Sequence, residues 1–111
     1  MITKQIIENF FNNLKGDNDF NANDYLVWGF FFIGADKNML KALGKHLENE
    51  GYLFVDIFEA DKEEANDKTE YYLHLEKFDK HDINSLMCLN EILQMQAIKF
   101  NSRYDGFDVG G

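Results

Sequence analysis

Three histidines and a single cysteine are the side chains in this sequence that are best suited to chemistry. His46, His74 and His81 lie at spacings that match none of the HxH, HExxH or paired Cys/His patterns of metal sites. Cys88 has no second cysteine to pair with, and its apolar helical setting predicts a small buried hydrophobic side chain instead of a nucleophile. We therefore expect the histidines to be structural or solvated, and the protein to hold no metal and no cofactor.

An acidic run between two predicted strands is the other candidate for chemistry. Within DKEEANDK, residues 61–68, Glu63 and Glu64 could act as a general acid and base. A charge run in a hairpin loop is more typical of a solvated tip, which could make electrostatic contact with a partner. Since the sequence also shows no Gly-rich phosphate loop and no Ser/His/Asp arrangement, we expect a protein that is not an enzyme.

The overall charge restricts the partners of the chain. Eleven basic and twenty acidic residues give a net charge of −9, which repels nucleic-acid phosphates and anionic membrane surfaces. A basic protein is the natural complement, and we expect neither direct nucleic-acid binding nor membrane association. Residues 1–13 lack the apolar core of a signal peptide, and the longest apolar run, residues 25–33, is too short to span a bilayer, so we expect a cytoplasmic protein.

Hydrophobic spacing divides the chain into an N-terminal amphipathic helix, residues 1–16, and a mixed region, residues 24–111. The mixed region reads as strand, helix, strand, strand, helix, strand. That order predicts an α+β fold, the ferredoxin-like split βαβ sandwich, with a four-stranded antiparallel sheet and two helices on one face. Asp36 is expected to cap the first of these two helices, and Gly51 is expected to end it.

The arrangement of these elements follows from the same pattern. We expect the first and last strands at the centre of the sheet. The face away from the two helices is then aromatic, and the N-terminal helix, through Phe10 and Phe11, is the nearest cover for it. Such a face could stack RNA bases, but the neighbouring acidic loops favour a buried core or a protein-binding surface. The aromatic residues assigned to this face are Trp28, Phe30, Phe32, Phe54, Phe58 and Tyr72.

A second apolar stripe marks the last predicted helix. Cys88, Ile92 and Met95 recur on the side opposite its main apolar face, where a helix that covers a sheet is normally polar. This stripe could contact either the N-terminal helix or another subunit, and the sequence leaves both open.

The sequence resembles a known family over residues 24–107, through the stretches VWGFFFIG and LKALGKHLENEGY and the closing YDGFD. It is similar to the regulator of ribonuclease E activity B family, small acidic bacterial proteins. Tyr104, Asp105 and Gly106 match the family's closing Tyr-Asp-Gly-Trp, while Phe107 replaces the tryptophan. The founding member's acidic C-terminal tail has no counterpart in this sequence, which ends at Gly111.

The resemblance implies a ferredoxin-like domain that binds an endoribonuclease and restrains RNA decay without being an enzyme. Our leading hypothesis is therefore a protein-binding regulator of RNA turnover. The alternative is a small acidic immunity protein that neutralises a bacterial toxin, and a third reading is a small-ligand or enzymatic pocket beside Tyr104 and Asp105.

The closing motif, Tyr104-Asp105-Gly106-Phe107, is the candidate site. It is either a protein-binding contact or a structural lock, and we favour the lock because Gly in a strand usually marks a bulge. In a lock, Gly106 takes a backbone conformation that is costly for other residues, Asp105 hydrogen-bonds local backbone, and the two rings pack against neighbouring elements.

Overall fold

The computed structural model describes residues 3–15, 25–61 and 68–110. These residues form three helices and four strands. In chain order they are α1 (Lys4–Lys15), β1 (Leu26–Gly34), α2 (Lys37–Asn49), β2 (Leu53–Glu59), β3 (Tyr71–Asp79), α3 (Ile83–Lys99) and β4 (Arg103–Gly110). The predicted α+β class and the predicted order of elements are confirmed.

The four strands form one antiparallel sheet in the order β2-β3-β1-β4. This is the strand order of the ferredoxin-like fold. The expectation that the first and last strands lie at the centre is wrong, because β1 and β3 are central while β2 and β4 form the edges. Each crossover helix joins strands that are separated by one other strand, so β3 lies between β1 and β2, and β1 lies between β3 and β4.

The core lies between one face of the sheet and the helices. Trp28, Phe30 and Phe32 are fully buried in β1. Phe32 is paired with Leu73 of β3, and a side chain at Gly44 of α2 would touch Leu73. This chain of contacts places the three rings on the face that the helices cover, so their predicted position on the opposite face is wrong.

Helix α1 packs on this same face, beside α3. The Phe10 ring lies 5.7 Å from that of Trp28 and 4.9 Å from that of Phe107, and Ile7 and Phe11 are buried. The expectation that α1 covers apolar surface is therefore confirmed. Its place is different from the predicted one, since all three helices share one face of the sheet and none of the described helices covers the other.

Local signals set the helix ends. The Asp36 carboxylate accepts hydrogen bonds from the backbone N–H groups of Asn38 (2.9 Å) and Met39 (3.3 Å), which confirms the predicted N-cap of α2. A capping box between Asp82 and Ser85 begins α3. Gly51, with a φ of 103°, adopts the left-handed conformation that follows the end of α2.

The apolar stripe on the outer side of α3, formed by Cys88, Ile92 and Met95, is exposed. Cys88 is exposed, so its prediction as a buried side chain is wrong. Ile92 and Met95 are also exposed, by 51% and 63%, because the stripe points away from the sheet and is not covered by α1. The buried side of α3 instead carries Leu86, Asn90, Leu93 and Ala97.

Candidate protein-binding face

The sheet has a second face, opposite the three helices, which we call the open face. Side chains alternate along a strand, so the neighbours of the buried core residues point to this face. It carries Val27, Gly29, Phe31 and Ile33 of β1, Leu53, Asp56 and Phe58 of β2, Tyr72, His74, Glu76 and Phe78 of β3, and Arg103, Gly106 and Asp108 of β4.

Two pairs of stacked rings lie on the open face. The Phe31 and His74 rings, on the central strands, are 4.4 Å apart with an interplanar angle of 14°. Phe58 and Tyr72 stack at 5.5 Å and 27° nearer the β2 edge. Of the predicted aromatic face, only these last two residues lie here, since Phe54 contacts the space beside Gly44 under α2. Aromatic surface is thus present on the open face, built largely from residues that were not predicted to form it.

A shallow cleft of about 310 Å³ opens along β1, β2 and β3. Its walls include the apolar side chains of Val27, Leu53 and Phe78, and Glu76 supplies a carboxylate. Leu53 and Phe78 are exposed by 63% and 66%, which is unusual for large apolar side chains on neighbouring strands. The Tyr25 ring contacts that of Phe78 in a tilted arrangement, with ring centres 5.6 Å apart and an interplanar angle of 35°. Lys77 lines the cleft as well, so the polar rim of the cleft carries both signs of charge, and the apolar walls are suited to an apolar side chain.

Polar groups converge on Gly29 at the centre of the open face. A Cβ atom there would clash with the Asp108 carboxylate and would lie 3.1 Å from His74 Nε2. His74 Nε2 is in turn 3.9 Å from Glu76 Oε2. These three side chains come from the strands on either side of β1, and they meet only because residue 29 has no side chain of its own.

The open face is acidic around this point. Glu76 and Asp108 are the direct cross-strand neighbours of Gly29, and Asp56 pairs with His74 one strand further out. Arg103 is paired with Ile33, near the C-terminal end of β1, and its guanidinium forms an ion pair with the Glu70 carboxylate at 3.0 Å. Near the centre, Glu76 lies beside His74, and Lys77 lines the same cleft as Glu76.

The closing motif divides between the two faces. The strand β4 contains a bulge at Asp105, because Phe31 is paired with Gly106 while Phe32 is paired with Tyr104. The extra residue lets both Tyr104 and Phe107 point toward the helices. The Tyr104 ring lies 5.3 Å from that of Phe32, and Phe107 contacts Phe10, so both rings are structural.

Asp105 and Gly106, the other two residues of the motif, do not have the contacts and backbone conformation that the structural-lock hypothesis predicts. Gly106 has a φ of 158°, close to extended backbone, so the bulge rather than a left-handed conformation distinguishes it. The Asp105 side chain is exposed and makes no hydrogen bond within the described part of the chain. The predicted bond from Asp105 to local backbone is therefore not found, while Gly106 adjoins Phe31 on the open face.

Two largely buried tyrosines, Tyr52 and Tyr104, interact near the closing motif. Burial, with a smaller effect of Tyr52, raises the pKa of Tyr104, whose buried hydroxyl has no hydrogen-bond partner among the described residues. Burial and the carboxylates of Glu50 and Asp79 raise the pKa of Tyr52 to about 12. Both phenols stay protonated at neutral pH, and the cleft described above includes neither Tyr104 nor Asp105.

The three histidines lie in different places in the fold and have different neighbours. His46 faces Glu50 on α2, at 3.4 Å, and His81 packs edge-on against the Trp28 ring at 5.3 Å. Burial lowers the pKa of His81, although Asp79 acts in the opposite direction. Among residues 3–15, 25–61 and 68–110 no three metal-binding side chains come together. In the same ranges no helix has the length and apolar character needed to cross a membrane.

The predicted electrostatic pair lies beyond what the structure describes. Glu63 and Glu64 fall between residues 61 and 68, outside the described residues. The hairpin that leads to them is in place, because Glu59 is paired with Tyr71 and the backbone N–H of Ala60 donates to the carbonyl of Glu70 at 2.8 Å. Their role as an electrostatic contact stays a prediction.

Phe31, Glu76 and Asp108 were not singled out from the sequence, and His74 was considered there only as a structural or solvated side chain. The available signal was Gly29, a glycine inside an otherwise apolar strand, which marks a close approach of neighbouring groups. Which groups approach depends on strand pairing, and that information is not local.

Comparison with known proteins agrees with the sequence resemblance. The family model described as "Regulator of ribonuclease activity B" matches residues 4–109 of the chain, which includes α1 as well as the sheet. No curated protein sequence matches the chain significantly.

Proposed function

The chain belongs to the regulator of ribonuclease activity B family, and from this membership we propose that it binds an endoribonuclease and lowers its activity without catalysing a reaction itself. The partner is a protein, and RNA turnover is the process affected. We place the protein in the cytoplasm, where it would meet such a partner.

The observation that carries this proposal is the chemistry of the open face. Exposed apolar side chains, Leu53 and Phe78, lie next to carboxylates, Glu76 and Asp108, on a sheet face that no described helix covers. Protein interfaces combine apolar anchors with complementary charge in this way. RNA phosphates would be repelled by the same carboxylates, so a basic protein surface is the better occupant.

Such binding gives a direct route to inhibition. Ribonucleases hold RNA through positively charged side chains that contact phosphates. An acidic surface that binds those side chains competes with RNA for them. The chain would then act by occupying basic surface, with no bond made or broken.

The test is a cleavage assay with the endoribonuclease of the same cell and a labelled RNA. Added protein should lower the cleavage rate in a saturable manner. A variant with Leu53→Asp and Phe78→Asp should keep its fold, because both side chains are exposed. The concentration of this variant that halves the cleavage rate should be at least about tenfold higher than that of the wild type.

The matched control uses the outer stripe of α3. Ile92→Asp and Met95→Asp place two carboxylates at similarly exposed apolar positions, and this variant should inhibit as well as the wild type. A cleavage rate that does not respond to the wild-type protein would disprove the proposed function. If only the α3 variant lost inhibition, the interface would lie on α3 instead of the open face.

A further inference from the structure

We infer that the outer stripe of α3 is the interface of a symmetric, antiparallel dimer of this chain. The stripe consists of Cys88, Ile92 and Met95, and Ile98 extends it toward the end of the helix. This inference is independent of the proposed function, which uses the opposite side of the sheet.

The exposed positions of α3 form a straight seam along the helix. They fall at residues 84–85, 88, 91–92, 95 and 98–99, so the pattern repeats every seven residues. A seven-residue repeat keeps one seam of a helix in line with a second helix over its whole length. The seam carries three large apolar side chains, Ile92, Met95 and Ile98, which are exposed by 51%, 63% and 64%. Its shape and apolar character therefore fit another helix.

The sequence along the seam is symmetric about Met95. Residues 91–99 read EILQMQAIK, in which positions at equal distances from Met95 carry side chains of the same kind. Ile92 corresponds to Ile98, and a glutamine stands on either side of Met95. A twofold axis between two antiparallel helices brings such positions to the same level, because each residue meets the one at the same distance beyond the axis. The second copy of the chain is therefore the partner that this symmetry fits.

The charges of the helix favour the same pairing. Glu91 and Lys99 are the charged side chains of α3, and both are exposed. With Met95 at the axis, Glu91 of one chain lies level with Lys99 of the other, twice in each dimer. A parallel pair would instead place like charges side by side. Although each chain carries a net charge of −9, two copies can thus meet along this seam with opposite charges facing each other.

The size of the seam limits the strength of the dimer. From Cys88 to Lys99 it is about 17 Å long, at about 1.5 Å per residue, and a helix is about 10–12 Å wide. A standard interface buries about 800 Å² on each partner, which is more than such a strip supplies. We therefore expect a reversible dimer with a dissociation constant on the order of 10–100 μM.

This dimer leaves both open faces in contact with solvent. Helix α3 lies on the covered side of the sheet, and its stripe points away from the sheet. The two open faces are then on the outer sides of the dimer, and dimerisation does not compete with binding there.

The first experiment measures the oligomeric state of the full-length protein. Sedimentation equilibrium at about 5 to 500 μM should show the average mass rising from 13.0 kDa toward twice that value. Met95→Asp brings two carboxylates together at the axis and should stay a monomer. Phe78→Asp adds the same charge at a similarly exposed position of the open face and should dimerise like the wild type. A wild-type monomer throughout, or a dimer that Phe78→Asp disrupts and Met95→Asp does not, would overturn the proposal.

The second experiment tests the antiparallel register by disulfide formation. In a Cys88→Ser background, Met95→Cys should form an intermolecular disulfide at least about tenfold faster than the native Cys88 under mild oxidation. The two copies of residue 95 meet at the axis, whereas the two copies of Cys88 lie about 21 Å apart along the helices. A disulfide requires Cα atoms within about 7 Å. Crosslinking through native Cys88 at an equal or higher rate would contradict the register.

The third experiment reverses the charges of the seam. Glu91→Lys and Lys99→Glu should each weaken dimerisation by at least about fivefold, and the double reversal should restore it. Glu48→Lys changes the net charge as Glu91→Lys does, at an exposed position of α2, and should slightly strengthen the dimer by lowering general repulsion. If Glu91→Lys strengthened the dimer as this control does, the charge pairing would be refuted. Since no arm uses the ribonuclease, these results leave the proposed function to its own test.

Discussion

One inserted residue in β4 decides where its neighbours point. Asp105 has no direct partner on β1, and the bulge that it makes turns both Tyr104 and Phe107 toward the helices. Without the insertion, residues three apart in a strand would lie on opposite faces. The motif therefore contributes to stability through the positions of its rings, and the Asp105 carboxylate is secondary.

Single substitutions in the motif test this division of roles. Phe107→Ala should lower the free energy of unfolding by about 3 kcal/mol, because the ring packs against Phe10 and Trp28. Asp105→Ala should change it by less than about 0.5 kcal/mol, since the side chain is exposed. Denaturant unfolding of both variants gives the values, and a large loss for Asp105→Ala would show that the carboxylate has a structural role after all.

A buried polar residue on α3 was beyond sequence prediction. Asn90 is 5% exposed, and in the part of the chain that the structure describes neither polar atom of its side chain has a hydrogen-bond partner. Buried amides are usually hydrogen-bonded, and Asn90 was not among the residues assigned to the main face of this helix. Only the packing of α3 shows that this side chain is in the core.

At the level of elements, the repeat of apolar residues predicts most of this fold. Apolar residues that recur about every 3.6 residues identify the three helices, and Asp36 marks the start of α2. The face of each strand is harder to predict. Because β1 is apolar on both sides, the sequence does not show which side meets the helices, and the bulge at Val55 sends Phe54 and Phe58 to opposite faces although they are four residues apart.

Strand positions within the sheet were also beyond local reasoning. The sequence gives the order of strands along the chain, whereas pairing depends on contacts between distant residues. Strand β4 resembles a central strand in its aromatic content, yet it pairs with β1 alone and forms an edge. The open-face cluster around Gly29 follows from that pairing, and it was missed for the same reason.

Helix α1 should be essential for stability. Phe11 is buried and lies 6.2 Å from the Trp28 ring, so Phe11→Ala should lower the free energy of unfolding by about 3–5 kcal/mol. Asn12→Ala, at an exposed position of the same helix, is the control and should change little. Thermal melting followed by circular dichroism compares the two. Unchanged melting of Phe11→Ala would mean that α1 is dispensable.

For the whole molecule, a net charge of −9 governs the approach to a partner. Long-range attraction raises the rate of association, while close contacts on the open face set the rate of dissociation. The charge is spread over the chain, so its effect on approach does not depend on any one carboxylate. Kinetics can therefore separate steering from the specific contacts proposed for Glu76 and Asp108.

Salt should accordingly slow association with the ribonuclease. Raising ionic strength from about 0.05 to 0.5 M should reduce the association rate constant by about tenfold or more and leave dissociation nearly unchanged. Glu63→Lys with Glu64→Lys should slow association further if those residues face the partner. The control, Glu48→Lys with Glu91→Lys, changes the net charge equally, and identical rates for the two pairs would remove any special role of the hairpin. Surface plasmon resonance measures both rate constants.

Each edge strand of the sheet contains a bulge, at Val55 in β2 and at Asp105 in β4. An unpaired strand edge is a template on which another copy of the chain could extend the sheet, and repeated extension leads to fibres. A bulge interrupts the regular row of hydrogen-bonding groups and increases the local twist, so neither edge offers a long, flat ladder. The protein can therefore expose an apolar sheet face to a partner while both routes to polymerisation through its edges are obstructed.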